Sequence, residues 1–178
     1  MIYTNDYASP LGSILLAGDD QGLTGLWFTQ GARYIGLGLK KEARRRETDY
    51  FDQTKKWLDL YFSGRDPGFF PPIHFVGSDF RNRVGEILCE IPYGKTVPYG
   101  WIADKLAKER GIERMSAQAV GGAVGHNPIC IIVPCHRVVG ATGSLIGYGG
   151  GILRKKALLE LEGNDMRQFS IPTSCIPV

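Results

Sequence analysis

Hydrophobic and polar positions alternate along the first third of the chain in three short runs that turn residues separate. This two-residue period predicts β-strands at residues 1–6, 12–18 and 23–29. The connecting segments 9–12 and 18–22 read Ser-Pro-Leu-Gly and Gly-Asp-Asp-Gln-Gly, a composition typical of tight turns. The pattern therefore predicts a small antiparallel sheet in which each strand follows the previous one through a hairpin.

A helical period replaces the alternation after this sheet. Thr48 is suited to cap a helix that runs to Phe62, and the apolar positions between them share one broad face. We expect this helix to cover the sheet. Proline, glycine and phenylalanine are then concentrated near residues 66–77, where we place a domain boundary. The predicted domains are a structural α/β unit at residues 1–77, in which nothing suggests chemistry, and a second unit at residues 78–178.

The second unit has mainly helical periodicity. Its apolar residues recur at three- and four-residue steps, which predicts helices over residues 78–91, 117–124 and 153–162 and in a segment that starts at residues 97–100. Ser78 and Ser116 are suited to cap two of them, and the glycine-containing connection before Ser116 indicates a helix-turn-helix. The predicted fold class is thus a two-domain α/β protein with a mostly helical C-terminal domain.

The predicted helix at residues 117–124 has an unusual composition for a helix that binds DNA. Gln118 is its single polar side chain, and the adjacent Gly121 and Gly122 cost roughly 1 kcal/mol each relative to alanine. A helix that reads the major groove carries several Arg, Asn or Gln side chains, whereas a slim helix fits a narrow minor groove. Close packing against another helix would explain the small residues equally well, and both interpretations stay open here.

A continuous apolar run at residues 129–133 ends at Pro134, and Cys135 and His136 follow side by side. We expect the run to be a buried strand, because proline cannot donate to a sheet ladder and pairing ends there. A neighbouring histidine can favour the thiolate form of a cysteine, which is the nucleophilic form. A buried, inert cysteine packed beside a histidine is the alternative, and the local pattern does not separate the two.

Composition and charge narrow the class of protein. The 178 residues are 43% hydrophobic, enough for a sizeable core, and the net charge of +3 arises in residues 78–178, which fits a polyanionic partner without requiring one. The cysteines form no CxxC pair, which argues against a structural zinc site; they are Cys89, Cys130, Cys135 and Cys175. No signal segment and no run of about 18 apolar residues is present, so we expect a soluble cytoplasmic protein without a membrane partner.

Five short motifs stand in a fixed order in the second unit. They read Ala-Val-Gly-Gly-Ala at 119–123, Asn-Pro at 127–128, Pro-Cys-His-Arg-Val-Val at 134–139, Gly-Tyr-Gly-Gly at 147–150 and Leu-Glu-Gly at 161–163. With this spacing, about half of the chain closely resembles the O6-alkylguanine-DNA alkyltransferases, the methylated-DNA–protein-cysteine methyltransferases. The resemblance implies DNA repair by one irreversible transfer of an alkyl group from guanine O6 to a cysteine, and it leaves O4-alkylthymine open as a second substrate.

The resemblance also implies the catalytic roles. Cys135 would be the nucleophile, His136 would be its base through a water molecule, and Glu162 would orient His136. Asn127 would hold the loop around the site by hydrogen bonds. Tyr99 would donate a proton or a hydrogen bond to guanine N3 as negative charge builds up on the leaving base. Because the product thioether is inert, each protein molecule would act once.

Contacts to the substrate and to DNA follow from the same resemblance. Tyr148, Gly149 and Gly150 would form the wall of a pocket for the flipped base, since a sulfur atom cannot reach O6 inside a stacked duplex. Further contacts are implied at four positions, Gln118, Ala119, Gly122 and Arg137. The implied partner is double-stranded DNA that carries O6-alkylguanine and is bound through the minor groove by a monomer, without a cofactor.

Two departures from the family pattern qualify these roles. Gln118 stands where many members have an arginine that intercalates to replace the flipped base, and glutamine can fill the gap without adding positive charge. The N-terminal third lacks the cysteines with which some members bind zinc, so no metal is expected.

Two other classes compete with alkyl transfer. A non-catalytic protein that binds DNA at alkyl lesions can resemble this family, but such proteins lack the nucleophile, and Cys135 is present here. A helix-turn-helix regulator with a buried structural cysteine would leave Tyr99, Tyr148 and Glu162 without a role. Alkyl transfer is therefore the main hypothesis.

Overall fold

The computed structural model describes residues 1–33, 35–36, 39 and 42–172 of the chain. Within these residues it has an N-terminal sheet followed by a mostly helical C-terminal part, which confirms the predicted α/β fold class. No helix among them is both long and apolar enough to cross a membrane.

The N-terminal sheet contains the three predicted strands, β1 (Tyr3–Ser9), β2 (Gly12–Gly18) and β3 (Leu23–Phe28). They form two antiparallel hairpins, and a short strand β4 (Arg44–Arg45) joins β1 in parallel, which gives the order β3-β2-β1-β4. Strand β1 lies two to three residues later than predicted, because the pairing continues from Tyr3 opposite Gly18 up to the turn itself.

Helix α1 (Asp49–Phe62) begins as the sequence predicts. The Thr48 side chain accepts a 3.2 Å hydrogen bond from the backbone N–H of Phe51, which satisfies one of the free donors of the first turn. Its buried face carries Phe51, Trp57, Leu58 and Tyr61, and the helix packs against β1. The helix therefore covers the sheet, and its last buried residue, Tyr61, points towards the C-terminal part of the chain.

The C-terminal part is built from helices α2 (Asp79–Cys89), α3 (Tyr99–Arg110), α4 (Ala117–Gly125) and α5 (Ile152–Leu161). Strands β5 (Val97–Pro98) and β6 (Val138–Val139) pair in parallel between them. Ser78 and Ser116 cap α2 and α4 through their side chains, as predicted. Helix α4 packs against α2 and α3 through Val120, Ala123 and Val124, so its opposite face is left on the surface.

The prediction of a strand at residues 129–133 is wrong. Ile129 makes a single bridge to Leu26, and the chain then turns at Ile131, whose φ angle is 70°. The five residues are all buried, so their continuous apolarity reflects burial on every side and not an extended conformation. Backbone bonds from Ile132 to Cys130 (2.8 Å) and from Val133 to Ile129 (3.1 Å) close the turn, which delivers the chain to Cys135.

One hydrophobic cluster extends through both parts of the chain. It contains Phe28 and Leu58 from the N-terminal part together with Leu88 and Val133 from the C-terminal part. The bridge between β3 and Ile129 is its backbone counterpart, since Cys130 N–H donates to the carbonyl of Leu26 at 3.0 Å. The N-terminal sheet therefore packs directly against the turn that precedes Cys135.

Candidate active site

A short 3-10 helix, Cys135–Arg137, follows the buried turn and presents the cysteine. Asn127 closes this turn from inside: its Nδ2 donates to the carbonyls of Val133 at 2.8 Å and Ile129 at 3.2 Å, and its Oδ1 accepts from Ile129 N–H at 3.0 Å. The amide thereby satisfies backbone groups that a strand would otherwise have paired. This is the position that a loop-holding role for Asn127 requires.

Glu162, the residue that ends α5, accepts hydrogen bonds at both carboxylate oxygens. Nε2 of His136 lies 2.7 Å from Oε1, and the Arg137 guanidinium makes a paired contact at 2.9–3.1 Å. The hydroxyl of Tyr61 donates to Oε1 at 2.9 Å, and the N–H of Gly94 donates to Oε2 at 3.1 Å. Burial would raise the pKa of Glu162, but the bonds and charges of His136 and Arg137 lower that pKa to about 2, so the residue is a carboxylate.

The same contact fixes the state of His136. Burial lowers the pKa of the fully buried imidazole, and this effect outweighs the opposite effect of Glu162. Because the carboxylate of Glu162 can only accept, Nε2 carries the proton of the neutral ring and Nδ1 is left as an acceptor. Among the residues that the structure describes, Nδ1 has no hydrogen-bond partner. His136 is therefore a neutral imidazole with one unprotonated nitrogen that is able to accept a proton.

Cys135 is 5% exposed and stands in surroundings that favour its thiolate. A hydrogen bond from the thiol of Cys130 is the largest effect that lowers the pKa of Cys135; burial opposes it, and the side chain of Asn127 and the charge of Lys155 lower the pKa further. The thiol of Cys130 has its own pKa raised by the same contact and by burial, so Cys130 keeps its proton and acts as the donor. The net result is a lowered pKa for Cys135, as a nucleophile needs.

Lys155 and Cys130 belong to this site, although the sequence reasoning assigned neither of them a role. The Lys155 side chain is fully buried, and its Nζ donates to the carbonyls of Val138 at 2.6 Å and Ile146 at 2.9 Å. Burial lowers its pKa to about 8, so it still carries a charge at neutral pH. The helical spacing could have indicated the burial of Lys155, because it stands three residues before Leu158 and seven before Glu162, on the buried face of α5.

Tyr61 corrects the expectation that residues 1–77 hold no chemistry. It lies on α1, is fully buried, and donates to Glu162 across 101 positions of sequence. Burial and then the charge of Glu162 raise its pKa, so its hydroxyl stays protonated and remains a donor. The N-terminal part thus contributes one of the groups that hold the carboxylate behind His136. No local pattern around Tyr61 distinguishes it from an ordinary core residue of an amphipathic helix.

Tyr99 and Tyr148 both lie near Cys135. The Tyr99 hydroxyl donates to the carbonyl of Ile146 at 3.2 Å, and burial followed by the charge of Cys135 raises its pKa to about 12. Gly147 approaches so closely that a Cβ there would lie 2.9 Å from the Tyr99 oxygen. Tyr148 is 8% exposed, and its ring covers Gly150, where a Cβ would lie 2.6 Å from a ring carbon. The two glycines therefore let both rings pack closely beside the cysteine.

The outer face of α4 is open. Gln118, Ala119 and Gly122 are exposed, and a Cβ at Gly121 or Gly122 would meet nothing within 4 Å. Close helix packing therefore does not explain these glycines, and of the two interpretations the structure favours the slim exposed helix. A cleft of about 630 Å³ separates this face from the segment that carries Tyr148, and Arg33 stands at its edge.

The structure contradicts the predicted contact between Arg137 and DNA. Its side chain is 9% exposed, and its guanidinium is bound to Glu162 and to the carbonyl of Ile91 at 2.7 Å. A guanidinium that is buried against a carboxylate and a backbone carbonyl in this way is not presented to a phosphate at the surface. Arg137 instead fixes Glu162. As for metals, the described part of the chain contains no group of three or more His, Cys, Asp or Glu residues that could hold an ion.

Comparison with known proteins shows the family to which the chain belongs. Residues 79–164 match the DNA binding domain of 6-O-methylguanine DNA methyltransferase, and residues 2–74 match the ribonuclease-like domain of the same family. A methylated-DNA–protein-cysteine methyltransferase from Methanosarcina barkeri is 40% identical over 166 residues, which cover 93% of this chain and 100% of that protein. The chain belongs to the 6-O-methylguanine DNA methyltransferase family. This confirms the resemblance on which the sequence analysis relied.

Solved structures of this family have the same fold. The crystal structure of the Mycobacterium tuberculosis O6-methylguanine methyltransferase matches with a TM-score of 0.76 at 40% identity and covers 99% of this chain and 96% of its own. The Mycobacterium tuberculosis protein OGT in complex with DNA matches with a TM-score of 0.74 at 43% identity and covers 90% of this chain and 91% of its own. The match therefore extends over both parts of the chain.

Proposed function

We propose that this protein repairs alkylated DNA by moving an alkyl group from O6 of guanine to Sγ of Cys135 in one irreversible step. The observation that carries the proposal is a buried cysteine with a lowered pKa, followed directly by a neutral histidine whose other nitrogen is held by a carboxylate. Membership of the 6-O-methylguanine DNA methyltransferase family supports the choice of substrate. A cysteine, a base and an orienting carboxylate form the arrangement of an activated nucleophile.

The transfer is a single displacement. The Cys135 thiol loses its proton through a water molecule to Nδ1 of His136, and the imidazolium that forms is stabilised by Glu162 at 2.7 Å. The sulfur attacks the alkyl carbon, the bond from this carbon to O6 breaks, and its electron pair stays on the guanine, which then takes up one proton to balance the one that His136 accepted. The product is an S-alkyl cysteine, which has no route back to a thiolate. One protein molecule therefore repairs one base.

Tyr99 is suited to stabilise the departing base. Its raised pKa keeps the hydroxyl protonated at neutral pH, so it can donate a hydrogen bond to N3 of guanine as negative charge collects on the ring. In the free protein this hydroxyl donates to the carbonyl of Ile146, a contact that a bound base would replace. The charge of Lys155 acts at the other end of the reaction, because it favours the thiolate of Cys135 before the attack.

DNA binding is assigned to the exposed face of α4. Its small residues allow the helix backbone to approach the floor of a minor groove, and Gln118 at its first turn can fill the space that a flipped base leaves in the stack. The flipped nucleotide would then enter the cleft in front of Tyr148. The match to a relative whose crystal structure contains DNA supports DNA as the partner.

The organisation of the chain and its place in the cell are part of the proposal. We assign residues 1–77 and 78–178 to two domains, a division that is supported by the separate family matches at residues 2–74 and 79–164. We infer that the protein is a monomer. We also infer that it acts in the cytoplasm, where reducing conditions keep thiols such as Cys135 free.

The repair reaction is tested by its stoichiometry. A duplex with one O6-methylguanine is mixed with increasing amounts of protein, and the bases are then released and quantified. Loss of O6-methylguanine should equal the amount of protein and appear as guanine, and Cys135→Ser should remove the activity while still binding the duplex. Binding without any loss of O6-methylguanine by the unmodified protein would instead identify a lesion-binding protein without transfer.

A further inference from the structure

The side chain of Arg154, on α5, joins the N-terminal sheet to the wall of the substrate cleft. Its Nε donates to the carbonyl of Leu11 at 3.0 Å, and its Nη1 donates both to Gln30 at 2.6 Å and to Gly150 at 3.0 Å. The guanidinium also lies 4.3 Å above the ring of Phe28. One side chain thus ties the β1–β2 turn and the end of β3 to the glycine that lies under Tyr148.

A second connection runs beside the first. The N–H of Arg33 donates to the carbonyl of Gly149 at 2.6 Å, and a Cβ at Gly151 would lie 3.3 Å from the carbonyl of Gly31. Two successive carbonyls therefore accept hydrogen bonds. Gly149 accepts from the backbone of Arg33 in the N-terminal part, and Gly150 accepts from Arg154, which is itself bound to that part. Hydrogen bonds from residues outside the segment 147–151 therefore hold this wall of the cleft in place.

The segment at residues 147–151 depends on these outside contacts for a defined conformation. It has four glycines around Tyr148, and Gly147 and Gly151 have φ angles of +74° and +98°. Glycine loses more conformational freedom on ordering than any other residue, so this segment has little intrinsic preference for its observed path. The Tyr148 ring rests on Gly150, and its place beside Cys135 follows the backbone beneath it.

We propose that Arg154 is a positioning residue that holds Tyr148 at a fixed distance from Cys135 and thereby sets which alkyl groups the pocket transfers fastest. This inference rests on the proposed function, because it concerns the selectivity of that reaction. With these contacts in place the wall is held in one position, which keeps the carbon of a small alkyl group aligned with the sulfur. Without these contacts the wall can move outwards. A methyl carbon is then aligned less well with the sulfur of Cys135, whereas a larger alkyl group gains space.

The test compares two substrates in one duplex sequence, O6-methylguanine and O6-benzylguanine, under single-turnover conditions. Arg154→Met keeps much of the aliphatic volume over Phe28 and removes every donor, whereas Arg154→Lys keeps a charge and donors that cannot span the same gap. Lys156→Met is the matched control, because it removes an exposed positive charge from the same helix. Chemical unfolding of each variant measures stability separately.

We expect Arg154→Met to slow methyl transfer about tenfold and benzyl transfer at most a few-fold, so that the methyl-to-benzyl rate ratio falls. The rate ratio of Arg154→Lys should lie between those of the unmodified protein and Arg154→Met. Lys156→Met should leave both rates unchanged. If Arg154→Met slows methyl and benzyl transfer equally, Arg154 has a merely structural role and the inference is overturned. If Arg154→Met does not fold, an unchanged methyl-to-benzyl rate ratio in Arg154→Lys overturns it instead. If the unmodified protein transfers neither group, it is the proposed function that fails.

Discussion

Nε2 of His136 lies 2.7 Å from Oε1 of Glu162, and both side chains are completely buried. This contact decides which nitrogen of the imidazole carries the proton and therefore which nitrogen can act as a base. It also places a negative charge where the imidazolium would form in the proposed reaction. Because Arg137, Tyr61 and Gly94 hold the same carboxylate, the geometry of His136 depends on groups from α1, from the segment after α2 and from the 3-10 helix.

Glu162→Gln keeps the size of the side chain and removes its charge. The imidazolium of His136 would lose its stabilising partner, so we expect alkyl transfer to slow by about two orders of magnitude. DNA affinity should stay nearly intact, because Glu162 is buried and lies away from the exposed face of α4. Single-turnover rates and a gel-shift titration measure the two quantities.

The variant also leaves Arg137 without its carboxylate, so stability should fall by about 3–5 kcal/mol. Transfer rates are therefore compared at a temperature where circular dichroism shows the variant to be folded. Equal losses of rate and DNA affinity would point to a folding defect and not to a role in catalysis.

Tyr61→Phe tests whether the N-terminal part takes part in the site. The change removes one donor to Glu162 and no ring atom, and we expect the transfer rate to fall about threefold to tenfold and stability to fall by about 1–2 kcal/mol. The control is Tyr7→Phe, which removes a hydrogen bond of 2.6 Å to Asp59 in the same part of the chain. If both variants change the transfer rate equally, Tyr61 has only a structural role.

Cys130→Ala tests the source of the low pKa of Cys135. The thiol of Cys130 stabilises the thiolate, so its removal should raise the pKa of Cys135 and move the alkaline rise of its reactivity to higher pH. At neutral pH the variant would hold less thiolate and react more slowly. The measurement is the rate of iodoacetamide addition to Cys135 between pH 5 and 9, with Cys89→Ala as the control. A midpoint that stays in place, or that moves to lower pH, would contradict the assigned donor.

Gln118→Ala tests the base-replacing role of the exposed first turn of α4. We expect transfer from O6-benzylguanine in duplex DNA to slow about tenfold, since the gap in the stack is left unfilled, and transfer from the free base to be unchanged. Gln118→Arg should bind the duplex more tightly, because it adds a positive charge at the same place. Equal slowing on the duplex and on the free base would remove Gln118 from base flipping.

Local signals predicted the elements well because their causes are local. Thr48, Ser78 and Ser116 each cap a helix through a hydrogen bond to a residue three positions later, which a sequence pattern can show. The strand predicted at residues 129–133 was wrong because a continuous apolar run indicates burial and not conformation. The bend at Ile131 depends on Asn127, whose amide replaces the missing strand partner.

The candidate site was predictable where the family resemblance assigned a role, as it did for Glu162, which lies 26 positions after His136, and not where the fold alone brings residues together. Cys135, His136 and Asn127 lie within ten positions and form one loop. Tyr61 and Arg154 bind groups more than 100 residues away, at Glu162 and at Leu11, and no spacing along the chain indicates such contacts. Arg137 shows the opposite case: the family resemblance implied a contact with DNA, while its partner Glu162 holds it in the interior.

The residue that receives the transferred group distinguishes the proposed reaction from its alternatives. The protein is incubated with a duplex that carries O6-methylguanine, digested, and analysed by mass spectrometry. We expect one added methyl group per molecule, on the peptide that contains Cys135. A methyl group on Cys89, Cys130 or Cys175, or an unmodified Cys135 after O6-methylguanine has been consumed, would contradict it.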